Sequence, residues 1–192
     1  MGLKKQIKDY LKTHLSPKRY EHSIAVAKLS KKLAKKHGLP AKKAFLAGLL
    51  HDAAKELSEK ELIKIATQDG LALDSDEKQR PTLLHGRAAA VLAQKNWGIN
   101  DEMILQGIRD HIFGRPGMEP FSMVIYCADL LEPHRQFIKE SLRQKVLSYD
   151  LEKMTLWVAE FIFRDLKKKG RRIVQSSLKM YKELKERMNR DV

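Results

Sequence analysis

The chain has 192 residues, of which 43% are hydrophobic and 32% charged, so it can form a folded domain with a sizeable core rather than a disordered polymer. No apolar run approaches the ~20 residues of a membrane-spanning helix, and no secretory signal opens the sequence. The single cysteine, Cys127, excludes an internal disulfide. These features predict a protein of the reducing cytoplasm.

The formal net charge of +14 is concentrated at the two ends of the sequence. Residues 1–43 hold 13 Lys/Arg against 2 Asp/Glu, and residues 164–192 hold 11 against 4, whereas the middle is mildly acidic. Basic ends suit a polyanionic partner, but solvated Lys-rich helix faces give the same pattern. Nucleic-acid binding is therefore an alternative hypothesis rather than the main one.

Apolar residues recur every three or four positions along almost the whole chain, which predicts an all-α fold. Capping residues, glycines and prolines mark the helix ends. Ser58 with Glu61 forms a capping-box pattern, and Asn100 is a predicted N-cap. The predicted helices span residues 1–15, 17–38, 41–57, 59–67, 81–97, 101–113, 121–131, 139–164 and 172–189, with loops at 68–80 and 114–120.

Six titratable residues interrupt apolar helix faces. A lone histidine on such a face is more often a hydrogen-bonded core residue than a ligand, and a buried carboxylate without a cation is costly. Six of them together are poorly explained as independent features. Neutral imidazoles and carboxylates are ligands for divalent metal ions, which offset buried negative charge. The candidate ligands are His22, His51, Asp52, His85, His111 and Asp129.

The wider pattern resembles the HD-domain metal phosphohydrolases, and among them the YqeK-type bacterial symmetrical diadenosine tetraphosphatases. The resemblance covers about residues 16–137. The segments that carry it are RYEHS (Arg19–Ser23), AGLLHDAAK (Ala47–Lys55), LLHG (Leu83–Gly86), IRDH with GRPGM (Ile108–Met118) and IYCADLLEPHR (Ile125–Arg135).

This resemblance implies an HD-domain helical bundle with additional C-terminal helices. Residues 1–137 would form the catalytic core, with helix 1–15 packed on it. Residues 138–192 would form a basic helical extension of the same domain.

The resemblance also implies a two-metal centre. His22, His51, Asp52 and Asp129 fall on the positions for the first metal, and Asp52, His85 and His111 on those for the second. Asp52 would bridge the two ions. The implied metal is iron, with manganese or other divalent ions as substitutes.

Two cations ~3.5–4 Å apart can lower the pKa of a bridging water and supply hydroxide at neutral pH. The expected catalytic residues are Asp52 and Lys55. The expected substrate-binding residues are Lys55, Arg87, Gly114, Arg115, Glu132 and Arg135. The nucleoside is expected near the loop 114–118. Departures from the family pattern at Ile112, Phe113, Leu130 and His134 lie on the expected substrate side.

The main functional hypothesis is symmetrical hydrolysis of diadenosine tetraphosphate to two ADP by a monomer or homodimer with no membrane partner. A second hypothesis is another HD-type phosphohydrolase, acting on nucleoside polyphosphates or guanosine alarmones. A third is a basic RNA- or ribosome-associated helical protein with a structural metal site.

Overall fold

A computed structural model of the protein describes residues 2–190, with residue 190 described by its backbone alone. Within that range every regular element is helical, which confirms the all-α prediction. Two short 3₁₀ helices, Thr67–Asp69 and Pro81–Leu84, accompany the α-helices. The α-helices are α1 (Leu3–His14), α2 (Pro17–Lys36), α3 (Ala41–Leu50), α4 (Glu59–Ala66), α5 (Ser75–Gln79), α6 (His85–Trp97), α7 (Glu102–Asp110), α8 (Pro120–Leu131), α9 (Glu140–Ser148), α10 (Leu151–Lys168) and α11 (Gln175–Arg190).

Helices α2, α3, α7 and α8 pack against one another at the centre of the bundle. The α2–α3 contact is close because Gly48 has no side chain: a Cβ there would lie 2.7 Å from Ser30 Oγ and 3.0 Å from Ala27 Cα. Helix α6 packs on α7 and α4, α10 packs on α8, and α11 packs on α10. None of the described helices is both long and apolar enough to cross a bilayer.

Several predicted boundaries were wrong. The predicted helix 41–57 ends at Leu50 and continues as turns to residue 56, where i→i+3 bonds such as Lys55 N–H to the Asp52 carbonyl replace the α-helical pattern. The N-cap of α7 is Asp101 rather than Asn100, and its side chain accepts a hydrogen bond from Ile104 N–H.

Two further predictions missed capping signals. The predicted loop 68–80 contains α5, which is closed by a capping box between Asp74 and Glu77. The predicted helix 139–164 is divided into α9 and α10 because Asp150 caps α10 by accepting from Lys153 N–H. The capping box of Ser58 and Glu61 forms as predicted, and it opens α4.

The basic C-terminal segment is built into the bundle. Met180 and Leu184 of α11 are buried and belong to the hydrophobic core. The apolar stripe of this helix therefore packs against the protein, while its lysines face outward.

Candidate metal centre

Five separate elements bring the six candidate ligands to one place, the His/Asp cluster. His22 lies on α2, Asp129 lies near the end of α8, and His85 is the first residue of α6. His51 and Asp52 directly follow α3, and His111 directly follows α7. The four histidines and Asp52 are buried, whereas the Asp129 side chain is partly exposed.

The cluster divides into two halves around Asp52. In the first half, His22 Nε2 lies 3.3 Å from His51 Nε2 and 3.0 Å from Asp129 Oδ1. In the second half, His85 Nε2 lies 3.2 Å from His111 Nε2.

Asp52 directs one carboxylate oxygen at each half. Its Oδ2 lies 3.7 Å from His22 Nε2 and 3.5 Å from His51 Nε2. Its Oδ1 lies 3.4 Å from His85 Nε2 and 3.6 Å from His111 Nε2. The carboxylate therefore stands between two sets of imidazole nitrogens, which is the arrangement that a bridging ligand requires.

Three of the histidines turn the other ring nitrogen back onto the backbone. His51 Nδ1 lies 2.8 Å from the Gly48 carbonyl, His85 Nδ1 lies 2.7 Å from that of Thr82, and His111 Nδ1 lies 2.6 Å from that of Ile108. In each case the acceptor is three residues earlier in the chain. With Nδ1–H donating to a carbonyl, the Nε2 lone pair is free and faces the cluster, as a metal ligand must.

The fourth histidine uses a carboxylate instead. His22 Nδ1 lies 3.1 Å from Glu132 Oε1, and Glu132 is 1% exposed. The other oxygen, Oε2, accepts from His134 N–H at 2.7 Å. Burial alone would raise the pKa of Glu132, but the contacts with His22 and His134 together outweigh it and hold that pKa below its usual value. Its two oxygens are turned inward onto protein donors, and the expectation that Glu132 binds substrate stays a prediction.

The pKa shifts of His51, His85 and the two aspartates fit a divalent metal ion. Burial lowers the pKa of His22, but its contacts with Asp129 and Glu132 outweigh burial and raise that pKa. Burial lowers the pKa of His51, and burial together with the nearby Lys55 charge lowers that of His85 to about 3, so both rings are neutral. Burial raises the pKa of Asp52 and Asp129, but contacts with the surrounding histidines outweigh it and hold both well below the usual range. The N···N and N···O separations of 3.0–3.7 Å suit donors that share an ion at bond lengths of about 2.0–2.2 Å.

Three cationic side chains surround the open side of the cluster. Arg19 Nη1 lies 2.7 Å from Asp52 Oδ2, and Arg135 Nη2 lies 2.8 Å from Asp129 Oδ1. Lys55 Nζ lies 3.0 Å from His85 Nε2, and burial lowers the pKa of Lys55 despite the nearby carboxylates.

Arg19 is a contact that the sequence reasoning missed. It stands three residues before His22 on the same helix, one turn away, and that spacing was a usable signal.

Arg87, another expected substrate residue, has its partners inside the protein. All five N–H donors of Arg87 are used inside the protein, by Asp69, Glu77 and the carbonyls of Leu71 and Ala72. This saturation leaves no Arg87 donor free for a phosphate in this structure, and substrate binding by Arg87 stays a prediction.

Gly114 is packed against the Met180 side chain of α11. Its φ is +63°, and a Cβ there would collide with Met180 Sδ of α11. The contact that the structure shows is packing against Met180, and the approach of the Gly114 backbone to the substrate stays a prediction.

Helix α11 holds the loop that follows His111. Ser176 Oγ donates to the Gly114 carbonyl at 2.7 Å, and Ser177 Oγ donates to the Phe113 carbonyl at 2.8 Å. Gly117 N–H donates to Glu183 Oε2 at 2.7 Å. Arg115, which stands in this loop, contacts Asp110 Oδ2 at 3.3 Å and remains partly exposed. Helix α11 therefore fixes the loop that carries Arg115, a candidate phosphate contact.

Comparison with known proteins agrees with this geometry. The model of the HD domain family matches residues 19–134. The chain is 36% identical over 141 residues to the symmetrical bis(5'-nucleosyl)-tetraphosphatase of Bacillus subtilis, covering 73% of this chain and 75% of that protein. It is 39% identical over 132 residues to the protein of the same name from Halalkalibacterium halodurans, covering 66% of this chain and 67% of that protein.

A solved structure has the same fold over nearly the whole chain. It is a predicted HD superfamily hydrolase involved in NAD metabolism from Clostridium acetobutylicum, 34% identical, with a TM-score of 0.89 over 97% of this chain and 99% of the other. The matched fold includes the C-terminal helices. The protein therefore belongs to the HD-domain family and, within it, to the YqeK-type branch.

Proposed function

We propose that this protein hydrolyses diadenosine tetraphosphate symmetrically and releases two ADP. The observation that carries the proposal is the shared carboxylate: Asp52 presents one oxygen to each half of the His/Asp cluster. Such paired halves suit phosphoryl chemistry with two cations. Relatives that match most of this chain are named symmetrical bis(5'-nucleosyl)-tetraphosphatases, which supports the choice of substrate.

The cluster would hold two divalent cations, and iron, with manganese as a substitute, is the proposed metal. His22, His51 and Asp129 would hold the first and His85 and His111 the second, with Asp52 shared. When bound, the cations supply Lewis-acid activation of water and neutralise developing phosphoryl charge.

The protein's own side chains orient this chemistry. The backbone carbonyls behind His51, His85 and His111 keep each Nε2 unprotonated and directed at the cluster. Glu132 orients His22, because its carboxylate lies 3.1 Å from His22 Nδ1.

Substrate phosphates would meet the cations on the open side of the cluster. Lys55, Arg19 and Arg135 are partly exposed there and already contact the cluster carboxylates or His85. Polyphosphate oxygens would take over part of these contacts, because charge-assisted hydrogen bonds to phosphate are strong. Arg115 would bind from the loop after His111. We further propose that residues 1–137 are the catalytic core of one domain with residues 138–192, acting in the cytoplasm.

The decisive experiment is product analysis of a short reaction in ¹⁸O-labelled water with the purified full-length protein. ADP should be the only early product, with one label for each pair of ADP molecules. Equal ATP and AMP would contradict symmetrical cleavage. Turnover of a nucleoside polyphosphate or a guanosine alarmone, without turnover of the dinucleotide, would favour the second hypothesis.

The Asp52→Ala variant tests the shared carboxylate. It should lose bound metal and hydrolysis together, because both halves lose a ligand. Metal content and ADP release are measured beside Asp9→Ala, which removes an exposed carboxylate of α1 that forms no ion pair among the described residues. An Asp52→Ala protein that is folded and as active as the wild type would contradict the proposed metal chemistry.

A further inference from the structure

A second feature lies at the end of α8, next to Asp129 in the chain. It is a cleft of about 750 Å³, which we call the aromatic cleft, between the end of α8, Phe137, α9 and residues 157–169. This volume lies in the usual range for small-molecule sites. The residues that define it are Leu130, Phe137, Trp157, Phe161, Arg164 and Lys168.

Three rings in the cleft form a row of near-parallel planes. Trp157 and Phe161 stack with ring centroids 5.3 Å apart and planes at 29°, and Phe161 and Phe137 stack at 5.9 Å and 23°. Phe137, at the end of the row, is 60% exposed. An exposed aromatic row is unusual on a protein surface and typical of sites that bind flat rings, because every nucleobase has a face that can extend the stack.

Positive charge borders the row. Arg164 and Lys168 line the cleft one turn apart on α10. Neither forms an ion pair with any side chain that the structure describes, whereas Asp165 and Lys169, which also line the cleft, pair with each other. Two uncompensated cations beside stacked rings match a ligand that has a base and phosphates.

Two lining residues of the cleft stand close in the chain to residues of the metal centre. Leu130 directly follows Asp129, a candidate ligand of the first half. Phe137 stands two residues after Arg135, whose guanidinium contacts the same Asp129 carboxylate at 2.8 Å. Arg115, by contrast, follows His111, a candidate ligand of the second half. The aromatic cleft is therefore next in the chain to a candidate ligand of the first half, and the Arg115 loop to one of the second half.

We propose that the aromatic cleft binds the second nucleoside of a dinucleoside polyphosphate, with the base stacked on Phe137 and the adjoining phosphates on Arg164 and Lys168. This inference rests on the proposed function and assigns the far half of that substrate. A substrate that spans both halves has one nucleoside at each end, so its central phosphates lie over the shared Asp52. Two nucleoside sites on opposite sides thereby favour cleavage at the middle of the chain.

The test compares two ligands that differ by one nucleoside. Diadenosine tetraphosphate is assayed as substrate, and adenosine 5'-tetraphosphate as substrate or competing inhibitor, with the metal-loaded full-length protein. Phe137→Ala should raise KM for the dinucleotide about tenfold, the size of a lost base–aromatic stack, and leave the constants for adenosine 5'-tetraphosphate unchanged. Phe137→Tyr should restore the wild-type KM because the ring remains.

The matched control is Leu71→Ala, since Leu71 is 58% exposed and lies outside the cleft. It should alter neither ligand. Arg164→Ala serves as a second variant and should weaken both ligands, because both carry the phosphates that Arg164 would bind.

Equal effects of Phe137→Ala on both ligands, or no effect on either, would overturn the assignment while leaving the proposed hydrolysis intact. A change of sedimentation from dimer to monomer in Phe137→Ala would also overturn it, by showing that a second copy covers the cleft. A wild-type protein that does not cleave the dinucleotide would overturn both proposals.

Discussion

Gly114→Ala tests the contact between α11 and the loop after His111. Gly114 has a φ of +63°, in the left-handed region, where an alanine costs about 1–2 kcal/mol. Its Cβ would also collide with Met180 Sδ and lie 3.1 Å from Met180 Cε. Because Met180 is buried, displacing it adds about 1–3 kcal/mol of overpacking. We expect the free energy of unfolding to fall by about 2–5 kcal/mol.

Gly117→Ala is the matched control in the same loop. Its φ is +64°, but the nearest atom to a Cβ there is Arg115 Nη1 at 3.9 Å. This variant carries the backbone cost alone, about 1–2 kcal/mol. The free energy of unfolding of both variants is measured by urea unfolding followed by circular dichroism, with a common dependence on urea concentration.

The double variant Gly114→Ala/Met180→Ala isolates the collision. Met180→Ala removes the side chain that the new methyl group meets, so the double variant should lose less stability than the sum of the single losses. Equal destabilisation by Gly114→Ala and Gly117→Ala, together with strict additivity in the double variant, would refute the role of Met180.

Three further outcomes are expected. Glu132→Gln keeps the shape of the side chain but leaves one acceptor oxygen for two donors, His22 Nδ1–H and His134 N–H. The affinity for Mn²⁺, measured by calorimetry, should therefore fall about 10- to 100-fold. An unchanged affinity, equal to that of a Glu140→Gln control, would contradict the orienting role of Glu132. Deleting residues 173–192 removes the buried Met180 and Leu184, at about 1.5–3 kcal/mol each, so the truncated protein should unfold at lower urea; an unchanged midpoint would instead indicate a tail that only solvates the surface. Removing metal by chelation should lower the melting temperature by about 5–11 °C relative to protein at a hundredfold excess of metal over Kd, and Asp52→Ala should show no such shift.

Local features of the sequence determine the helices and the candidate ligands. Apolar residues three or four positions apart lie on neighbouring turns of one helix, so the pattern is local. Ser58 with Glu61 likewise caps α4 through groups only three residues apart. The six ligand candidates stand out because each polar residue interrupts an apolar stripe. Errors arose where two local signals compete, as in the choice between Asn100 and Asp101 for the cap of α7.

Contacts between residues far apart in the chain were decided by the tertiary structure. Glu132 meets His22 across 110 positions, and Ser176 meets Gly114 across 62. The sequence placed Arg87 two residues after His85 but did not show that its guanidinium donates to Asp69 and Glu77. A side chain's partners depend on which helices pack together, and local periodicity does not specify that packing. The sequence therefore determined which residues could hold metal, and the fold decided which groups orient them and which remain for the substrate.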